Sequence, residues 1–384
     1  MSGAGNLALT NLTKYEMLAL DGELNVSDGH PRQSLSSTQH RILQRMPEIF
    51  ARAAEEQFVD IERRAQRTFL DSLGQLSAPV EAGRVHSSYA SSVAMDVVAR
   101  SLRPRVRTIG LIHPTFDNIP DLLLGWGHQL VPLEEKALTE GEIPELHRLD
   151  AVFLTVPNNP TGTTIGTEAL RQIAVTCADR GIPLILDTCF RGFAPQDRPD
   201  MYALLDETGV EWIMIEDTGK LWPLLELKLG FISHSRQCSF DIVENLSDVL
   251  LSVSPFVLSL VTEFAADARD GGYEQIHSLI RRNRTVLDEA LADTDASLAS
   301  HSCDVSVTLV ELPDHLSSRP VWRELRHAGL HTLPCDPFFW ADKRQGERYL
   351  RVALSRDTPL IEKAAALLRD YFRSQRPSPT SRTA

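Results

Sequence analysis

"IEDTGKLWPLLELKLGF" (residues 215–231) closes one apolar strand, sets a lysine just beyond it and leads into a second strand. The chain holds six lysines against 33 arginines, and Lys220 is one of the six. A lysine used as a nucleophile must shed its proton, and an apolar setting favours the neutral amine. A lysine snorkelling from a strand end accounts for the same pattern equally well. A phosphate-binding P-loop does not, because Leu221 follows the lysine where Ser or Thr is required and the glycine spacing is wrong.

Outward from that stretch, short apolar strands alternate with helical periodicity. "RTIGLIHP" (107–114), "QLVPLE" (129–134), "AVFLTVP" (151–157), "IPLILDT" (182–188), "EWIMIED" (211–217) and "LGFISH" (229–234) read as strands. Residues 91–102 and 167–180 read as helices between them. The pattern predicts an α/β fold with a mainly parallel sheet flanked by helices, and ligands bound at the carboxyl ends of the strands. Beyond residue 255 come a long helical stretch to about 292, strands at 304–312 and 349–354, and a closing helix at 360–373. These predict a smaller C-terminal α+β domain. The expected division is an N-terminal segment 1–40, a large domain 41–285, a small domain 286–375 and a disordered tail 376–384. Within the N-terminal segment, Thr13–Leu20 has the spacing of a short helix, with Thr13 as N-cap and Glu16 completing a capping box. Residues 41–75 are helical by periodicity.

Composition excludes several classes. With 384 residues, 42% hydrophobic and 24% charged, the chain is globular. A formal charge of −13 repels phosphate backbones, so no nucleic-acid partner is expected. The five scattered cysteines form no C-x-x-C pair, which argues against a disulfide framework or a structural zinc site, and no metal is expected. No signal peptide and no apolar run of spanning length is read, so the expectation is a soluble, cytoplasmic protein without membrane association.

Several strand ends carry polar groups with chemical potential. Asp187 ends an apolar strand, where a carboxylate is costly to bury unpaired. A protonated ring nitrogen on a cofactor would be a partner, although strand-end aspartates are commonly turn formers. "VPNNPTG" (156–162) puts Asn159 after a buried strand, where its amide could bond a cofactor's phenolic oxygen; most such clusters are only loops. Ser91 and Ser92 open a helix, either as caps or as part of an anion site, and Lys228 could add positive charge. Phe116 could stack on a ring or lie in the core. Arg351, inside "RYLRVALSR" (348–356), needs an anion, either a substrate carboxylate or an internal partner.

The order of these features resembles the fold-type-I pyridoxal-phosphate (PLP) enzymes, the aspartate aminotransferase superfamily. "NNPTG", "LDTCFRGF", "EDTGKLWPLLELKLGF" and "LRVALS" carry the likeness across roughly residues 84–360. The resemblance implies that Lys220 is the Schiff-base lysine and Asp187 the partner of the pyridine nitrogen. It implies that Asn159 binds the phenolic oxygen, that Phe116 stacks on the ring, and that Ser91, Ser92 and Lys228 hold the phosphate. Arg351 would anchor the substrate carboxylate. Three departures stand out. The usual Asp-x-x-Tyr is Asp187-x-x-Phe190, "SSYASS" (87–92) replaces a glycine-rich phosphate loop, and Asp217 stands where a small hydroxyl residue is common. An anion there would repel phosphate, so Asp217 is expected to face elsewhere.

"LTKYEMLALDGELNVSDGHPRQ" (12–33), "HPTFDN" (113–118), "TCFRGF" and "IEDTGKLWP" extend the likeness to a narrower group. They resemble the PLP- and O2-dependent L-arginine hydroxylase/oxidases of natural-product pathways such as those to enduracididine and azomycin. That resemblance implies oxidation of L-arginine to 4-hydroxy-2-oxoarginine, with 2-oxoarginine as the abortive product and release of ammonia and hydrogen peroxide. It implies a homodimer, an N-terminal lid, and a guanidinium site drawn from Thr13, Glu16, Asp28 and Asp217. His30, given a pKa near neutral, would move protons or activate the added water. An ordinary aminotransferase acting on arginine or a related amino acid is the alternative.

Overall fold

The structure, a computed structural model, describes residues 11–194, 199–300 and 303–376. Its strands are β1 (Leu24–Asn25), β2 (Val85–Ser88), β3 (Thr108–His113), β4 (Gln129–Glu134), β5 (Ala151–Thr155), β6 (Leu184–Asp187), β7 (Trp212–Asp217) and β8 (Gly230–His234), then β9 (Ser297–Leu298), β10 (Val307–Glu311), β11 (Leu330–His331), β12 (Leu333–Pro334) and β13 (Tyr349–Ala353). Seven of them form one sheet in the order β2-β8-β7-β6-β5-β3-β4. Strands β3 to β7 pair in parallel, and β8 runs antiparallel to both its neighbours. This is the α/β architecture with a mainly parallel sheet that the alternation of strands and helices predicts, and it agrees with the fold-type-I expectation that the resemblance implies.

The central strands β5, β6 and β7 are buried at every position. Covered on both faces, they need continuous apolar runs rather than an alternating pattern. Pro132 lies in β4, at the sheet's edge, where the missing N–H breaks no central ladder. Thr155 and Asp187 pair directly at the carboxyl ends of β5 and β6, and Asp217 ends β7 beside them. Three polar side chains thus collect at the carboxyl edge of the three central strands.

Helix Ser91–Leu102 reaches that edge from above and buries Ala94, Val97, Val98 and Leu102. Its start lies so close to β8 that a Cβ at Gly230 would sit 2.5 Å from the Ala90 carbonyl carbon and 2.8 Å from the Ser91 nitrogen. Only a glycine lets the helix N-terminus approach the strand this closely.

Strands β12-β13-β10-β9 form an antiparallel sheet. Helix Tyr273–Leu291 packs on it through Arg284, which donates to Thr308 Oγ1 at 2.9 Å, and lies against the closing helix Thr358–Ser374. The expected boundary at 285/286 falls inside helix Tyr273–Leu291, and the one at 40/41 falls inside helix Ser37–Gln44. The long helical stretch is broken, because Gly271 takes a φ of 115° between Pro255–Asp267 and Tyr273–Leu291. The expected tail lies almost wholly outside the described residues.

The N-terminal segment is tied to the smaller sheet. β1 pairs in parallel with β11, and Val26 bridges the His331 carbonyl and the Ala353 amide. Its helix spans Leu12–Met17 and is capped by Asn11, whose side chain accepts from the Lys14 amide. Thr13 is therefore not the N-cap, and Glu16 closes no capping box; its carboxylate is engaged by Arg351 instead. Among the described residues no helix is long and apolar enough to cross a membrane.

Candidate active site

A single cavity at the carboxyl edge of the large sheet gathers most of the residues singled out from the sequence. Thr13, Glu16, His30, Ser91, Ser92, Phe116, Asn159, Asp187, Lys220, Lys228 and Arg351 all line it. Asp28 and Asp217 do not. Gly29, Met95, Asn118, Ile119, Thr155, Cys189 and Phe190 complete the wall. Of these, Asn118 and Thr155 were legible in principle: one follows Phe116 in the "HPTFDN" loop and the other ends β5.

Asp187 forms the polar floor. Its Oδ1 accepts the Cys189 amide at 3.1 Å, and Thr155 Oγ1 lies 3.5 Å from Oδ2. Burial pushes its carboxyl up to about 6, against the weaker pull of the Cys189 hydrogen bonds. No salt bridge relieves the charge among the described residues, so the carboxylate is a ready acceptor for a cationic N–H entering the cavity.

Lys220 follows β7 and stands half-buried, with Nζ 5.9 Å from the centre of the Phe190 ring. A phenol at position 190 would have offered an O–H here; the phenylalanine offers only its π-face. Lys228 flanks the same end, where burial and the nearby Lys220 charge hold its pKa down.

Helix Ser91–Leu102 brings its N-terminus to the cavity; its N-cap residue Ala90 supplies no side-chain cap, and the Ser91 amide donates to Asp217 Oδ2 at 3.4 Å instead. The Ser91 hydroxyl donates to Asp217 Oδ2 at 2.5 Å, and Asn118 Nδ2 lies 3.3 Å from Ser92 Oγ. Asp217 is thus bound at the helix start, and also accepts the Gly219 amide. The expectation that it faces away from this end is corrected. The reason is local: Ser91, at the first helical position, supplies the donor a buried strand-end carboxylate requires.

Arg351 projects from β13 into the opposite wall. Nη1 donates to Asn159 Oδ1 at 3.2 Å, and Nη2 donates to Glu16 Oε1 at 2.8 Å and to the Ser27 carbonyl at 2.6 Å. Since a guanidinium only donates, Asn159 presents its oxygen to Arg351 and keeps its NH2 for another acceptor. Burial raises the Glu16 carboxyl, and Arg351 and then Lys220 pull it back.

His30 hangs over the cavity from the 25–30 turn, and its Nε2 is buried without a hydrogen-bond partner. The Lys220 ammonium, then burial, then Lys228 and two arginines drive its pKa down to about 2. The expectation of a near-neutral pKa is corrected: crowding by cations makes this a neutral imidazole. Asp28 Oδ1 lies 3.9 Å from His30 Nδ1, but the carboxylate is shared with other donors. Its carboxylate accepts from Asn25 Nδ2 and Arg32 Nε at 3.0 Å each, and pairs with Arg356.

These residues fit pyridoxal phosphate. An acid without a salt-bridge partner lies on the floor, the start of a twelve-residue helix opened by Ser91 and Ser92 flanks one end together with Lys228, and Lys220 lines the same cavity.

The chain belongs to the aminotransferase family of class I and II, whose family model matches residues 124–368. It is a PLP-dependent enzyme of the aminotransferase fold. Within that fold it is similar to MppP, solved as "the structure of MppP soaked with the product 2-ketoarginine", at 42% identity and a TM-score of 0.88 over 91% of this chain and 99% of that one. It is also similar to the L-aspartate:5-guanidino-3-methyl-2-oxopentanoate transaminase of Pseudomonas syringae pv. syringae, 25% identical over 230 residues. That match spans 58% of each chain. A histidinol-phosphate aminotransferase of Rhodococcus jostii is 30% identical over 151 residues, 38% of this chain and 36% of its own length.

Proposed function

We propose that this chain is a PLP- and O2-dependent L-arginine oxidase/hydroxylase, forming 4-hydroxy-2-oxoarginine and 2-oxoarginine with release of ammonia and hydrogen peroxide in natural-product biosynthesis. The observation that carries the reading is that the N-terminal segment delivers a carboxylate, Glu16, and a neutral imidazole, His30, into the same cavity as Lys220 and Arg351. A relative bound to 2-ketoarginine and another acting on a guanidino keto acid support the substrate class.

Bound PLP supplies an electron sink for the substrate's α-carbon. Lys220 holds the cofactor, and Asp187 keeps its ring nitrogen protonated. The Asn159 NH2 group donates to the phenolic oxygen, and Phe116 covers one ring face. Ser91, Ser92 and Lys228 hold the phosphate. Arg351 binds the substrate carboxylate in a fork. Glu16 and Thr13 receive the guanidinium, while Asp217 and Asp28 act from behind the wall. Once Lys220 holds the cofactor and no longer crowds the imidazole as an ammonium, His30, with Nε2 unpartnered, accepts a proton from water adding at C4. Residues 1–40 act as a lid that keeps bulk water out. The assembly we propose is a cytoplasmic homodimer, each subunit with a large domain 41–285 and a small domain 286–375.

The test is an oxygen-electrode and mass-spectrometric assay of the purified protein with L-arginine. Oxygen uptake with peroxide, and no need for a keto-acid acceptor, is the expected result. Equal product formation without oxygen, given 2-oxoglutarate or pyruvate, would establish the second reading, an arginine aminotransferase, which the family match favours.

A further inference from the structure

Glu16 and Arg351 meet across 335 residues of sequence, one on helix Leu12–Met17 and the other on β13. Their side chains are 15% and 1% exposed, and Nη2 to Oε1 is 2.8 Å. Neither charge is well placed alone. Arg351 Nε is buried without a partner, its remaining acceptors are the neutral Asn159 and Ser27 oxygens, and its guanidinium lies 5.1 Å from the centre of the Phe338 ring. Breaking one side of a buried ion pair leaves an uncompensated charge, which costs far more than the pair itself contributes.

We infer that the Glu16–Arg351 pair is the resting partner of both charged ends of the substrate, and that it is exchanged as a unit for an amino acid carrying a carboxylate and a cationic tail. The inference rests on the arginine reading of the cavity and deepens it. The incoming carboxylate takes Arg351, and the incoming cation takes the Glu16 that is released. Two buried charges exchange partners and none is left alone. A ligand with only one charged end breaks the same pair but satisfies only half of it. Selection is then against singly charged ligands as much as for arginine, a negative element built from the protein's own ion pair. Glu16 acts twice: as an acceptor for the cationic tail and as a competitor for the carboxylate site.

The experiment titrates the holoenzyme without oxygen, reading the change in the cofactor's visible absorbance. Four primary amines form a cycle: L-arginine, L-norleucine without the cationic tail, agmatine without the carboxylate, and n-pentylamine without either. The affinity losses for norleucine and agmatine, multiplied together, should exceed the loss for pentylamine by roughly tenfold or more. Losses that multiply without excess would overturn the exchange. Glu16→Gln gives an independent arm. It should weaken arginine but tighten norleucine by about tenfold, since Arg351 no longer has an internal anion to surrender. If Glu16 only contacts the tail, norleucine affinity stays put, and that result would equally sink the inference. Should arginine fail to bind the unmodified holoenzyme while norleucine tightens in Glu16→Gln, the arginine reading falls and the competing pair stands.

Discussion

Arg356 Nη1 donates to the carbonyl oxygen of His30 at 2.8 Å. The same guanidinium donates to the Asn25 carbonyl at 2.8 Å and the Asp28 carbonyl at 2.9 Å, and it is fully buried. Asp28 Oδ1 in turn accepts the His30 amide at 3.1 Å. The turn that aims the imidazole is therefore wrapped around an arginine that follows β13. Arg356→Gln removes donors from several buried carbonyls and leaves Arg32 as the one guanidinium on Asp28 among the described residues. We expect a loss of about 3–5 kcal/mol in stability and a product ratio moved toward the unhydroxylated keto acid. Denaturant unfolding and mass spectrometry check the two. A wild-type ratio in a folded Arg356→Gln protein would show that the seat of His30 is set elsewhere.

His30→Ala should move the same ratio further, with L-arginine consumption retained, because oxidation at the α-carbon does not need the imidazole. An unchanged ratio removes His30 from the chemistry. A stability signature accompanies this in the cofactor-free protein. The folded pKa of about 2 lies below the ordinary 6.5, so between those values the unfolded chain binds a proton that the folded one does not. Stability on this account is complete above about pH 6.5 and is lost as pH falls, by at most about 1.4 kcal/mol per pH unit. His30→Ala should flatten that part of the profile in thermal unfolding from pH 7 to 5.

Lys220→Ala should abolish the visible absorbance band of the covalently held cofactor while the protein stays folded, since Lys220 is only half-buried. Persistence of the band would move the attachment to Lys228 or another lysine.

The large sheet was legible because its central strands are apolar runs ended by polar residues, Thr155, Asp187 and the two acids Glu216 and Asp217. Periodicity carries that much without tertiary information. The cap of the N-terminal helix lies two residues before the expected one because Asn11 and Thr13 are both acceptable caps, and the choice is made by a long-range bond from Leu12 to Asp117. Asp28 and His30 show the same limit. A carboxylate two residues from a histidine suggests a pair, and Asp28 Oδ1 does lie 3.9 Å from His30 Nδ1, but Asp28 is shared with Arg32 and Arg356 while Lys220 and Lys228 crowd the imidazole. No spacing in the chain contains those distances. Asp217 was read by charge alone, which missed the hydroxyl of Ser91 that faces it.

Asp187→Asn separates the cofactor's needs from the fold's. The folded carboxyl titrates near 6 against an ordinary 3.8, so the folded state holds the proton more tightly and stability falls as pH rises through that window. Above pH 6 the full penalty applies. Asn removes it, and the cofactor-free variant should gain up to about 3 kcal/mol at pH 7 and nothing at pH 4. Cofactor affinity should fall, because a neutral amide does not hold the ring nitrogen protonated. Thermal unfolding at the two pH values and equilibrium dialysis with PLP test both halves; equal stability gains at pH 4 and 7 would remove the charge from the explanation.

Asp117 anchors the other end of the N-terminal segment. Its Oδ2 accepts the amide of fully buried Leu12 at 2.7 Å, while Oδ1 is buried without a partner. Asp117 directly follows Phe116, so one loop lines the cavity and also grips the helix that carries Thr13 and Glu16. Burial raises its carboxyl to about 7, yet either protonation state keeps an oxygen for the Leu12 amide. Asp117→Ala removes the acceptor, and a hydrogen bond of this kind is worth about 1.5–3 kcal/mol. The helix should then open more often. Trypsin should cut after Lys14 at least about tenfold faster, and KM for arginine should rise while the absorbance of the bound cofactor stays unchanged. Asp117→Asn keeps a carbonyl oxygen in place and should restore both values toward those of the unmodified protein. Were Asp117→Ala to show ordinary cleavage and an ordinary KM, the grip on this helix would have to come from the Glu16–Arg351 pair and from Tyr15, whose ring meets Trp322 at 4.8 Å, instead.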